Sequence, residues 1–457
     1  MPLLLLLLMA SPLDEARTRF ETDLAAFAAW CDGKNLRGQR DDAYVLLLHF
    51  DPQHEYARKR LRYKWDKKQL RWVRKGKYRR PKDREGDALE EARNGYEALA
   101  DRFVRDTLAA LAAPDTKASQ RRRARADLLA VAPEDVRVRE LHDEVKRGDA
   151  WVLGETTRSA ERAKEIEELV RDLRRKVRPA RKGGVTDDDR AFGLPFAHSW
   201  KSQSWRVLGT VPDKELVELA FLCEAAHPML LHTFGLRGNA PRGLTLYVLR
   251  DEQTQALQAH PAYGDEERKF VLAMNGSWVP GKLAFVAWST RPAWRRDVAM
   301  RAVFGLYLKQ RFGLTVQQGW AWEGFGSYLT YQLAGVRMAI SGQKGRYAQD
   351  RKTRESQDRG TKFVKTDWPR LVRRLYDEKK APDFATLLGK DVNGITADES
   401  LVSYALAEYL TTGFPRRCAA LLKRYGSGTS LDDALIETFG FDLREFERRF
   451  VRWLRER

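Results

Sequence analysis

The residues Trp320-Ala321-Trp322-Glu323-Gly324-Phe325-Gly326-Ser327-Tyr328-Leu329 place a lone carboxylate, Glu323, inside otherwise apolar helical text. A short connection separates this W-x-x-E-G-x-x-x-Y segment from an amphipathic stretch over 297–312 that stops at Gly313, a helix followed by its glycine stop. Upstream, the patterns over 205–210 and 244–249 read as strands flanking an apolar-faced helix over 214–234. Apolar runs over 270–273 and 283–288 complete a small sheet, and from Arg295 onward the pattern is helical again. The spacing predicts a helix-rich α+β fold, a small mixed sheet joined to a helical bundle and preceded by an N-terminal α-helical region.

The chain has 457 residues, 43% of them hydrophobic, which suits two or three domains and excludes a disordered tail. Its 83 Lys and Arg against 64 Asp and Glu leave a net charge of +19, a balance that favours acidic partners or surfaces. Cys31, Cys223 and Cys418 stand apart with no CxxC spacing, which argues against a disulfide framework and a cysteine zinc module. No GxSxG elbow, Cys/His nucleophile context or glycine-rich phosphate loop is present.

Residues 1–12 open with an apolar run of about eight, too short to span a bilayer. They read as a signal peptide with a small-residue site at Ala10 and imply export to a periplasmic or extracellular location; the alternative is a cap on the first helix and a cytoplasmic protein. No other window is apolar enough to be transmembrane. Over 13–62, Phe20, Leu24, Phe27, Ala28 and Cys31, then Tyr44, Leu47 and Leu48, give a helical hairpin broken at 33–35. Its ending, Val45 through Pro52 with Glu55 and Ala57, resembles the second helix of a tetratricopeptide repeat, although Arg40 stands where that repeat has a small residue and no second copy is evident.

A basic aromatic connector follows over 63–85. From 58 to 84 there are fifteen Lys and Arg against Asp66 and Asp83, interleaved with Tyr63, Trp65, Trp72 and Tyr78. Arg58, Lys59, Arg60, Lys67, Lys68, Arg79 and Arg80 are therefore candidates for contact with nucleic acid or another anionic surface. The plainer alternative is a solvated turn or short hairpin whose rings dock on neighbouring helices. Residues 86–190 read as charged amphipathic helices, one of them over 160–177, ending in a linker at Gly183-Gly184 and Asp187-Asp188-Asp189. A last domain is then expected over 191–457, with an exposed loop over 342–362.

The order strand, helix, strand, sheet, helix, then the W-x-x-E-G helix resembles the gluzincin metallopeptidases of the peptidase MA-like kind. In that family HExxH puts two imidazoles four residues apart on one helix face to hold zinc, and the Glu of the later E-G helix is the third ligand. The likeness runs from about 205 to the end of the chain, including helical text over 401–410 and 434–453, and implies a zincin-like domain. It sets Met300-Arg301-Ala302-Val303-Phe304 on the motif, so only Glu323 keeps a ligand type. The last histidine is His260, and His227 and His232 read as helix-end or core residues. The resemblance thus implies a peptidase homologue that has lost its zinc, with Arg301 paired to Glu323 and Met300 and Phe304 filling the imidazole volumes. Trp320, Trp322 and Tyr328 would line the old cleft, and the expected function is non-catalytic binding of protein or peptide. Two rivals stand beside it: a hydrolase with another site around Glu323, and a nucleic-acid or anionic-surface binder acting through 58–84.

Overall fold

A computed structural model describes residues 11–74, 79–113, 116–250, 260–265, 276–338 and 366–457, with positions 253, 256, 267 and 268. The apolar run at the N-terminus, the strand expected over 270–273 and the loop expected over 342–362 lie outside these residues. The chain divides into two units, Met1–Trp151 and Val152–Arg457.

The N-terminal unit opens with α1 (Pro12–Gly33) and α2 (Arg37–Phe50), which pack on each other through Phe20, Leu24, Ala28, Tyr44 and Leu47. The Ser11 side chain accepts from the Asp14 N–H at the start of α1, and Pro12 occupies the first turn, where its missing N–H costs nothing. A short α3 (Glu55–Arg60) follows, then a two-stranded ribbon of β1 (Tyr63–Asp66) and β2 (Arg71–Arg74), so the expected connector contains an antiparallel hairpin.

This plan occurs twice. After a second long helix, α4 (Asp87–Leu111), come α5 (Ala118–Val131), α6 (Val136–Leu141) and β3 (Glu144–Arg147), whose bounds are those of α2, α3 and β1 moved on by 81 residues. β4 (Ala150–Leu153) completes the second ribbon. Pro52 and Pro133 each precede the short helix, and Arg62 (φ 66°) and Asp143 (φ 56°) each turn the chain into the first strand through the left-handed region. Buried Ala43, Leu47 and Ala57 are matched by Ala124, Leu128 and Val138. The expectation of a single repeat-like hairpin is corrected to two copies. The sequence hides the second because the shared positions are few and mostly small or aliphatic.

In the C-terminal unit a six-stranded mixed sheet runs in the order β5 (Arg181–Gly183), β6 (Ser199–Lys201), β7 (Trp205–Gly209), β8 (Leu244–Leu249), β10 (Ala284–Trp288) and β9 (Gly276–Trp278). β7, β8 and β10 are parallel, and β9 lies antiparallel outside β10. Central strands so uniformly apolar are buried on both faces, as parallel strands require. α7 (Gly154–Lys176) belongs to this unit and packs on later helices, so the unit begins near 152 rather than at 191.

The segment read as a linker is built into the sheet. β5 pairs with β6, and α8 (Asp187–Arg190) sets Asp189 in the interior, where it accepts from both Arg206 Nη1 (2.5 Å) and Nη2 (2.7 Å) and from the Tyr247 hydroxyl (2.8 Å). Burial opposes the charge of Asp189, but these donors and the Thr186 N–H hold its carboxyl below the usual range. An aspartate triplet looks like solvated linker text, yet its third member is an internal counter-ion.

α9 (Asp213–Phe234) and α10 (Pro292–Phe312) pack on the sheet, and α11 (Gly319–Ala334) packs on both helices. Beyond them lie α12 (Trp368–Asp377), α13 (Phe384–Leu388), α14 (Ala397–Gly413), α15 (Pro415–Gly426), α16 (Leu431–Phe439) and α17 (Leu443–Glu456). α10 ends at Gly313, in the left-handed conformation that glycine adopts without strain. Among the described residues no helix is long and apolar enough to cross a membrane.

Candidate functional site

α10 and α11 pack side by side, and α11 also packs on α14, which explains the glycine after Glu323. A Cβ at Gly324 would stand 2.2 Å from the Ser403 carbonyl oxygen, so α11 can approach α14 this closely only without a side chain there. Gly305 plays the same part on α10, where a Cβ would lie 2.5 Å from the Trp322 ring. Glu323 is thereby held in the helix contact rather than at a surface.

Arg301 of α10 meets it there. Its Nη1 donates to Glu323 Oε2 at 2.6 Å, its Nη2 donates to the Met338 carbonyl, and its Nε lies 2.9 Å from Asp297 Oδ2. The last is a charge contact, since the Nε–H is not directed at the oxygen. Asp297 Oδ1 accepts from the Met338 N–H at 3.2 Å. One guanidinium therefore sits between two carboxylates, and the main chain of Met338 is held at both its N–H and its C=O. No residue of this cluster exceeds 8% exposure.

Burial pushes the Asp297 carboxyl up to about 6, with Arg301 pulling the other way and Glu323 adding to the rise. Burial also opposes the charge of Arg301, but the two carboxylates outweigh it and hold the guanidinium above its ordinary value. Arg301 stays charged, a planar cation that donates to two acceptors and lies in charge contact with a third group.

The sequence places the ion pair on the right two residues but its surroundings on the wrong ones. Met300 and Phe304 are wholly buried members of the apolar core. The face of α10 that meets Glu323 carries Asp297 and Arg301, four residues apart. The resemblance sets the motif three residues later, on Met300, and so leaves out Asp297; the Asp/Arg pair at i and i+4 is the signal that the sequence offers for it. The expected cleft walls are corrected as well. Trp320 packs against Phe325 and Tyr425, and Tyr328 against Tyr404, both inside the core, while Trp322 is half-buried with its ring over Gly305. The Trp320 and Tyr328 rings are consumed by helix packing, so among the described residues these two line no open cleft.

The histidines serve elsewhere. His227 Nε2 accepts from Arg311 Nη2 at 2.9 Å, and burial and then Arg311 lower its pKa, which keeps it neutral. His260 packs against Phe192 with tilted rings whose centroids are 4.1 Å apart, and burial lowers its pKa too. Among the described residues no three His, Cys, Asp or Glu side chains are grouped to hold a metal. Comparison of the chain with protein-family models, curated proteins and solved structures finds no significant match.

Proposed function

We propose that the C-terminal unit is a degenerate gluzincin-like domain, a pseudopeptidase that binds protein or peptide without cutting it. The observation that carries this reading is the placement of Asp297, Arg301 and Glu323. Two positions four apart on one helix face, with a carboxylate from the next helix, form the layout in which HExxH and its distant Glu hold zinc. In this frame Asp297 and Arg301 occupy the imidazole positions and Val298 that of the general base. A guanidinium supplies the positive charge between the carboxylates, and zinc is lost. Glu323, buried and spoken for by Arg301, is not free to serve as a base, which disfavours another hydrolase site around it.

The binding half of the reading rests on the resemblance of the C-terminal unit to the gluzincin peptidases, whose substrates are peptides. The test uses unfolded casein with zinc supplied. The expected result is saturable binding with the casein left intact, whether or not a chelator is present. Chelator-sensitive cleavage would overturn the reading.

A further inference from the structure

The two copies in the N-terminal unit differ in a way that separates what the fold needs from what it does not. In the first, Arg58 Nε donates to the Pro52 carbonyl at 2.6 Å and its guanidinium lies 5.6 Å from the Trp72 ring centre. In the second, Arg139 Nε donates to the Pro133 carbonyl and lies 5.7 Å from the Trp151 ring centre. The arginine under the ribbon tryptophan is thus common structural equipment.

The remaining charge is not. Residues 58–74 carry nine Lys and Arg against Asp66, whereas their counterparts over 139–153 carry three against four Asp and Glu. The same helix and ribbon form without the basic excess, so the excess of the first copy is not there for folding. Nor is it neutralised locally: among the described residues Arg62, Lys64, Lys67 and Lys68 have no carboxylate partner, and all four are exposed. Around them the ribbon leaves apolar side chains in water, Leu70 at the turn (73% exposed), Trp65 (44%) and Val73 (39%).

We propose that the β1–β2 ribbon is a docking element for the surface of an anionic phospholipid bilayer. Unpaired cations around an exposed leucine turn, with a tryptophan two residues before the turn, match both layers of such a surface. Lys and Arg meet the anionic headgroups, and Leu70 and Trp65 enter the interface. Single-stranded nucleic acid fits less well. Tyr63 and Trp72 are already covered by Arg58 and Arg74, which leaves Trp65 alone as a stacking platform, and an exposed Leu70 contributes nothing to base recognition.

The test is co-flotation of the full chain with vesicles of phosphatidylcholine, with and without phosphatidylglycerol, beside binding of single-stranded DNA. The expected result is binding to the anionic vesicles that falls with salt and is absent on pure phosphatidylcholine. Lys64→Glu/Lys67→Glu/Lys68→Glu should weaken it by at least about a hundredfold, at about fivefold per cation removed. Leu70→Ser should weaken it further, while Lys146→Glu/Arg147→Glu on the second ribbon changes little. All these positions are exposed, and an unchanged circular dichroism melt verifies each fold. Retention by the triple variant, indifference to Leu70→Ser, or DNA binding stronger than vesicle binding would each overturn the proposal.

Discussion

Arg301→Met should cost the C-terminal unit about 3–5 kcal/mol, the range for removing one partner of a buried ion pair. The methionine fills much of the space, so the loss is electrostatic: Asp297 and Glu323 remain buried with no cation between them, and the Met338 carbonyl loses its donor. The pH dependence identifies the cause. A carboxyl whose folded pKa lies above its unfolded value destabilises the fold as pH rises through the folded pKa, and Asp297 sits at about 6 with the arginine in place. Without the arginine its pKa rises further, so the variant should recover part of its deficit on acidification from about pH 7 to about pH 5. Urea unfolding at the two pH values measures this, and a deficit under about 1 kcal/mol at both would show that the cluster is not a closed charge network.

A loss of the same order is expected from Arg449→Met at the far side of the helical bundle. Glu155, in the first turn of α7, is fully buried and accepts from Arg449 Nε at 2.9 Å and Nη2 at 2.8 Å and from the Tyr409 hydroxyl at 3.1 Å. This fork ties α7, α14 and α17 together. Arg158 lies 4.0 Å from the same carboxylate but is itself partly exposed, so it cannot replace a bidentate partner. Pairing the change with Glu155→Leu distinguishes the explanations: the double variant should be more stable than the sum of the single losses requires, because no unpaired charge is left. Additive losses would mean that packing, not charge, holds the three helices.

The parts of the fold that were legible in the sequence are those with strong apolar periodicity. The strands around 205–209, 244–249 and 284–288 and the helices at α9, α10 and α11 announce themselves because most of their buried positions are apolar. Charged residues with internal partners were misread for the opposite reason. Asp189 looks like linker text because its arginine partner is 17 residues away on β7. Asp297 looks like the solvent face of a helix because its partners are one turn along α10 and in the chain after α11. The repeat of the N-terminal unit escaped notice because what recurs is the run of element lengths and a few contacts, such as arginine beneath tryptophan, while the surface charge of the copies has diverged.

The pairing of Arg301 with Glu323 was legible, since a buried carboxylate calls for a cation beside it. The frame was not. One sequence shows which residues could face Glu323, and packing decides that Asp297 and Arg301 do.

The central claim is that Asp297, Arg301 and Glu323 stand at a metal site occupied by a guanidinium, and zinc content tests it directly. The purified protein and its Asp297→His/Arg301→His variant are exposed to zinc, desalted and subjected to elemental analysis. The account predicts a wild-type protein with almost no zinc and a variant that retains one ion per chain, because two imidazoles four apart then face Glu323. Stoichiometric zinc on the wild type, or none on a folded variant, would contradict it.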